Sequence, residues 1–341
     1  MESSTLGPDL TYRRPNTRDF TLDDNDLARA CPLDNHKHHL QPKHGLGVLD
    51  TLPLEVLSLV LVHTDIRTLT DFRRINHRAM QVVDSVPEYR LVQQHTPDLL
   101  RGILSVEIGS HISTQTLFST LNEYKCEGCG DFGSFIYLLT CERVCFLCLY
   151  EKPRYYPLLL SEAAAKFGTH RRLYKSLPSV KSVPGRYSPR KNTRKARFNL
   201  IDADSAQRIG LAFHNGSTAA MEQCVVAAHN NDSDAWDKRV MAGYKVSQNP
   251  PRRRRQVIWV PEGRVLDPRR FMAVVRAPWI NPSTNAVEWG FHCVGCKEKL
   301  RTGPLNWRRM YCDETFNVHI EECGRVCDGK HQLDGSLRIV G

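Results

Sequence analysis

Apolar residues begin to recur with helical spacing at Leu49. Val56, Leu57, Val60 and Leu61 stand at i, i+1, i+4 and i+5 and make one broad apolar face. Pro53 sits near the first helical position, with Thr51 close by as a candidate cap. Asp65 can cap a second helix carrying Ile66, Leu69 and Phe72. A third carries Ile75, Met80 and Val83 and stops before Pro87. Leu91–Leu121 reads as further helix, with starts at Pro97-Asp98 and near Thr116, and Ser161–Phe167 is a short run of good helix formers. Farther on, Ser205–Leu211, Thr218–His229 and Asp234–Tyr244 look helical, whereas Val257–Val260 and Phe271–Val275 look like strands. Before Gly47 no apolar period appears.

These patterns predict an α+β fold, mostly α, in five segments. Residues 1–47 form a disordered tail and 48–90 a three-helix module. Residues 91–170 form a helical and cysteine-rich segment, 171–197 a basic linker, and 198–333 a C-terminal α+β region. The linker follows from charge. No acidic residue occurs from Ala163 to Ile201, ten Lys and Arg fall between His170 and Arg197, and Pro178, Pro184, Gly185 and Pro189 break up any helix.

The 341 residues carry 47 Lys+Arg against 37 Asp+Glu, a net charge of +10. No apolar run approaches the ~20 residues of a membrane span, so no membrane partner is expected. Met1–Leu10 is polar and no apolar core follows it, so no secretory signal is expected. The twelve cysteines then belong in a reducing nuclear or cytoplasmic compartment, where clustered thiols point to metal rather than to disulfides. The basic runs tilt the balance towards the nucleus.

The cysteines come in pairs. Cys126-Glu-Gly-Cys129 and Cys145-Phe-Leu-Cys148 are two knuckles separated by the fifteen residues Gly130–Val144. Four thiolates at about 2.3 Å satisfy tetrahedral zinc and leave no open position for water, so the site reads as structural. Gly128 and Gly130 suit a tight knuckle, where positive φ is usual. Cys141 either replaces one ligand or lies beside the site as a spare thiol. A third knuckle, Cys293-Val-Gly-Cys296, is followed by His319 and Cys323, which share a helix face at i and i+4. Cys293, Cys296, His319 and Cys323 make a second candidate zinc site, with Cys312, Cys327, His292 and His331 as competing ligands. The cluster His36, His38, His39 and His44 has nothing to fix ligand geometry and reads as a solvated tract.

The residues Leu52-Pro-Leu-Glu-Val-Leu57, Leu69, Phe72-Arg-Arg-Ile-Asn76 and Val86-Pro-Glu-Tyr89 resemble an F-box. The order of later motifs resembles filamentous-fungal F-box-domain proteins. It comprises Cys126, Cys129, Arg143-Val-Cys-Phe-Leu-Cys148, Arg270–Trp279, Trp289–Cys293 and the closing Cys/His set. The resemblance covers roughly Val48 to Cys323. It implies a substrate-receptor subunit that docks on a Skp-type adaptor, and through it on a cullin-RING ubiquitin ligase, while the rest of the chain holds an unknown protein substrate. It places the docking face at Leu52, Pro53, Val56, Leu57, Val60, Leu69, Phe72 and Ile75.

Two other classes compete with this reading. A nuclear zinc-containing nucleic-acid-binding protein would use the arm Arg171–Arg197, with Tyr174 and Tyr187 interleaved, and the run Arg252–Arg255. No finger helix, RRM or homeodomain pattern accompanies these residues. An enzyme is not expected. His-Glu-x-x-His, a phosphate-binding Gly-rich loop and Gly-x-Ser-x-Gly are all missing from the sequence, and 144 residues separate Cys148 from Cys293, unlike the interleaved ligands of a RING.

Overall fold

The computed structural model describes residues 9–14, 18–33, 41–189, 193–241, 267–297 and 305–332. The fold is α+β and mostly helical, as the periodicity predicts. Several readings lie outside the described residues: the strand Val257–Val260, the run Arg252–Arg255, the end of the helix at Tyr244, and His36, His38 and His39.

The N-terminal stretch departs from expectation. Far from being a free tail, residues 9–14 and 18–33 pack onto the body. Strand β1 (Thr11–Tyr12) pairs antiparallel, Thr11 opposite Cys293 and Tyr12 opposite His292. Leu22 and Leu27 are fully buried, the latter on the single turn α1 (Leu27–Ala30). Asp23 bonds the backbone N–H and guanidinium of Arg276, Asp24 joins the same guanidinium, and Asp19 pairs with Arg308. A few spaced anchors hold a polar segment that has no period of its own.

The three-helix module forms, with two departures: Thr51 does not cap the first helix but bonds the Val48 carbonyl, and Ile75 lies before the Asn76 cap, outside the third helix. It comprises α2 (Leu54–His63), α3 (Ile66–Arg73) and α4 (His77–Ser85). The Asp65 carboxylate accepts the Thr68 N–H at 2.8 Å, and Asn76 caps α4 in the same way through Ala79 at 2.8 Å. The buried Arg73 guanidinium grips both oxygens of Asp84 at 2.7 and 2.8 Å and locks α3 to α4. Pro87 opens α5 (Pro87–His95) and Pro97 opens α6 (Pro97–Ser105), each at a position where the missing N–H costs nothing. Helix α7 (Thr114–Asn122), capped by Ser113, completes the helical core around Leu61, Ile66, Leu69, Val83, Leu100 and Leu117.

A hairpin follows, β2 (Phe135–Tyr137) and β3 (Glu142–Val144), and then α8 (Phe146–Glu151). The supposed linker is folded into the body. Strand β4 (Leu158–Leu159) leads into α9 (Leu160–Lys166), and β5 (Ser179–Lys181) and β6 (Asn199–Ile201) complete a sheet of order β4-β6-β5. Tyr174, Val180 and Tyr187 are buried anchors, while Lys181 and Arg197 both reach Glu107 at 3.4 Å, so part of the charge run is neutralised. Helix α10 (Ala203–Phe213) precedes α11 (Thr218–Met241), one helix where the pattern suggested two.

Residues 268–271 form a 3-10 turn, and the expected strand begins later, as β7 (Val274–Arg276). It adds to the free edge of β2 with Ile136 opposite Val275 and completes the sheet β3-β2-β7. One core holds residues from all three thirds of the chain, from Leu22 through Ile136 to Val275. Strands β8 (Trp279–Ile280) and β9 (Val287–Glu288) form a small hairpin, and β10 (His292–Cys293) receives β1. Helix α12 (Asp313–Cys323) and the hairpin β11 (Arg325–Cys327) and β12 (Lys330–Gln332) end the described chain.

Candidate metal centres and docking face

The first knuckle follows α7, where the bridge between Lys125 and Phe132 closes a tight loop. Gly130 at φ 82 lets its N–H return to the Cys126 carbonyl at 2.8 Å, a turn that a side chain would strain. The β2–β3 hairpin then delivers Cys145 as the N-cap of α8, one turn before Cys148. The Sγ atoms of Cys126, Cys129, Cys145 and Cys148 all lie within 4.8 Å of one another. Sulfurs about 2.3 Å from a tetrahedral centre stand about 3.8 Å apart, and Cys129 and Cys145 are 3.6 Å apart. Backbone N–H groups aim at the sulfurs, from Gly128 and Cys145 to Cys126 at 3.3 and 3.2 Å and from Cys148 to Cys145 at 3.4 Å. Such donors stabilise thiolate charge. A Cβ at Gly128 would meet the Cys148 Sγ at 2.8 Å, so the knuckle requires glycine there.

Four thiols at this range cannot all ionise unaided. Cys126 is pulled well below the ordinary thiol range by hydrogen bonds from Cys129, Cys145 and Cys148. Cys145 is pushed far above it by its hydrogen bonds to Cys126, Cys129 and Cys148. A cation at the centre resolves the conflict, and the four residues can hold a metal ion. Cys141 stays out of this set. It is buried, its Sγ lies 3.8 Å from the Thr120 hydroxyl, and burial pushes its thiol up to about 11, which fits a spare thiol.

Two arginines position the site. The guanidinium of Arg143 is buried and donates to the carbonyls of Thr120, Gly133 and Pro278 at 3.0, 2.6 and 2.7 Å, with longer bonds to Leu121 and Ala277. It joins the end of α7, the knuckle loop and the two-residue link after β7, and burial lowers its pKa to about 9. Arg270 donates to the carbonyls of Leu149 and Lys152 at the C-terminal end of α8, where positive charge is favoured. Both residues occur in the quoted motifs, but nothing in their spacing gives these roles.

The second centre differs from its sequence reading in one ligand. Cys293, Cys296 and His319 come together as expected, and the fourth member is His331, not Cys323. Its Nε2 stands 3.4 Å from the Cys293 Sγ and 3.5 Å from the Cys296 Sγ, while His319 Nε2 is 3.6 Å from Cys296. Nitrogen and sulfur ligands of one tetrahedral ion sit about 3.6 Å apart. The reason is the hairpin. Gly324 ends α12, Asp328 and Gly329 take φ of 50 and 76 as a two-residue turn, and β12 folds back over the knuckle with Val326 opposite His331. Cys323, on the last turn of α12, is displaced from the fourth corner. Both imidazoles turn Nε2 inward and are held from behind. His331 Nδ1 donates to the Gly324 carbonyl at 2.8 Å, and His319 Nδ1 meets the Tyr311 hydroxyl at 3.2 Å. Cys293 is lowered to about 4, first by a hydrogen bond from Cys296 and then by His319. Cys312 instead heads α12, His292 bonds the Arg309 carbonyl through Nδ1 at 3.0 Å, and Cys327 is exposed.

The expected docking residues divide by face. Leu52, Pro53, Val56, Val60 and Ile75 are exposed, Val60 by 55% and Ile75 by 66%. Leu57 and Leu69 are buried in the core and are corrected to structural residues, and Phe72 is half-buried against the same core. Helix α2 is apolar on both sides, and the side facing α4 and α7 takes Leu57 and Leu61. Sequence reading missed the rest of the outer face, namely Leu54, Leu59 at 63% exposure, and Val48 and Leu49 on the preceding 3-10 turn. Among the described residues no helix is long and apolar enough to cross a membrane. Comparison of the chain with protein-family models, with curated proteins and with solved structures finds no match.

Proposed function

We propose that the chain is an F-box substrate receptor that docks through α2 and its leading turn on a Skp-type adaptor of a cullin-RING ubiquitin ligase. The reading rests on the sequence resemblance. The observation that supports it is the set of apolar side chains left exposed on α2 and its leading turn, Val56, Leu59 and Val60 on one helix face with Val48, Leu49, Leu52 and Leu54 before and at its start, which a monomer has no reason to keep in water. The receptor itself performs no chemistry and works in the nucleus or cytoplasm. Two structural zinc ions, one bound by four cysteines and one by Cys293, Cys296, His319 and His331, hold the substrate-facing part in shape. The test is a pull-down of purified adaptor from a fungal source by the full chain and by a Leu52→Ala/Pro53→Ala variant. Capture by the wild type and loss in the variant is expected. A folded, zinc-loaded wild type that captures no adaptor sinks the reading.

A further inference from the structure

A cavity of about 230 Å³ opens where the N-terminal segment, α8, the segment before β6 and the 305–308 turn meet. Its walls are Phe20, Phe146, Tyr150, Tyr187, Phe271 and Trp307. An apolar cavity of roughly 150 Å³ already takes a benzene-sized guest, so this one has room for an aromatic side chain. Junctions between folded units are where ligand sites concentrate.

The polar groups of the cavity carry an excess of positive charge. Arg308 stands 3.7 Å from the centre of the Phe146 ring and is neutralised by Asp19, the one carboxylate in the wall. Just outside the wall, Arg186 lies over Phe20 at 5.3 Å, and its N–H groups go to the carbonyls of Ser188 and Pro189 rather than to an acid. Arg18 lines the cavity, is exposed, and has no hydrogen-bond or ion-pair partner among the described residues. An anionic guest is therefore favoured. A nucleobase is a poor one, because it needs open ring faces for stacking. One face each of Phe20, Phe146 and Trp307 is already taken by Arg186, Arg308 and Arg14.

Building on the receptor reading, we propose that this cavity is the substrate grip. It takes an acidic peptide segment whose one aromatic side chain fills the cavity while a neighbouring carboxylate pairs with Arg18. Tyr150 and Trp307 are only half-buried, which leaves one side open for the peptide backbone.

The test uses the full, zinc-loaded chain and a fluorescein-labelled Asp-Glu-Phe-Glu-Asp peptide, read by anisotropy. The Phe peptide binds, its Phe→Ala counterpart binds about tenfold more weakly or not at all, and Arg18→Glu weakens the Phe peptide by about tenfold. Arg18 is exposed, so that variant keeps its fold. A second variant, Tyr150→Trp, adds bulk at the wall and also weakens binding. Four outcomes overturn the proposal: no binding, equal binding of the Phe and Ala peptides, indifference to Arg18→Glu, or tighter binding of phenylacetate or an oligouridylate than of the peptide. Peptide binding is also measured on Leu52→Ala/Pro53→Ala. That variant is expected to keep peptide binding while losing the adaptor; a wild type that binds the peptide but captures no adaptor removes the receptor reading and leaves the grip standing, and a wild type that captures the adaptor but binds no peptide removes only the grip.

Discussion

Arg143 is a buried cation whose five hydrogen bonds all go to backbone carbonyls from three separate segments. Removing it leaves those carbonyls without a donor in a dry interior. Arg143→Met is expected to lower the unfolding free energy by ~3–5 kcal/mol, measured by urea denaturation. Arg143→Lys should recover little, since one ammonium cannot reach what a planar fork spans. At the second centre the ligands can be separated by stoichiometry. His331→Ala is expected to lose close to one metal per chain and Cys323→Ser to lose none, read by metal analysis of purified protein. Equal losses in the two variants would return Cys323 to the site. The thiol knuckles were legible because a two-residue spacer is itself the geometry of the site. His331 was harder to choose because its approach is set by a hairpin. The signal was present in Asp328-Gly329, a pair that strongly favours a two-residue turn.

Helices were the legible elements. Their caps, Asp65, Asn76 and Ser113, and the prolines at 87 and 97 act within a few residues of the chain, and the three-helix module forms where they place it. Which side of α2 faces inward was not legible, because both sides are apolar and only packing against α4 and α7 decides. That division is testable. Leu59→Glu, on the outer face, is expected to change stability by no more than ~0.5 kcal/mol while abolishing adaptor capture. Leu57→Ala, inside, is expected to cost ~2–5 kcal/mol. Thermal or urea denaturation of both variants, beside the pull-down, gives the answer. Short strands were poorly legible for a related reason. The pairing of β7 with β2 and of β1 with β10 depends on partners far away in sequence, and two or three residues carry too little alternation to announce a strand.

At the scale of the molecule, the expected linear string of segments is replaced by one body in which late residues complete early elements. Polar composition concealed this. The 171–197 run is rich in charge, yet Tyr174, Val180 and Tyr187 are enough to fix it, and the N-terminal stretch is held by Leu22, Leu27 and three aspartates. Deletion of residues 1–33 therefore removes the partner strand of β10 beside Cys293. It is expected to lower both melting temperature and metal content, with the loss confined to the second centre, whose ligands can be told apart by cobalt absorption spectra. A deletion that keeps both metals would show the N-terminal packing to be dispensable.

The clasp between the N-terminal segment and β7 also sets an order of events during synthesis. Asp23 and Arg276 are 253 positions apart. At roughly 5–20 residues per second, Asp23 waits on the order of ten to fifty seconds before its partner is made. Leu27, which packs beside Gly102 of α6, can dock much sooner. The outer face of α2 emerges within that interval. A nascent chain can thus present the outer apolar face of α2 while the ribosome is still making Cys293, Cys296, His319 and His331, so a partner that reads that face can engage before the cavity wall at Trp307 exists.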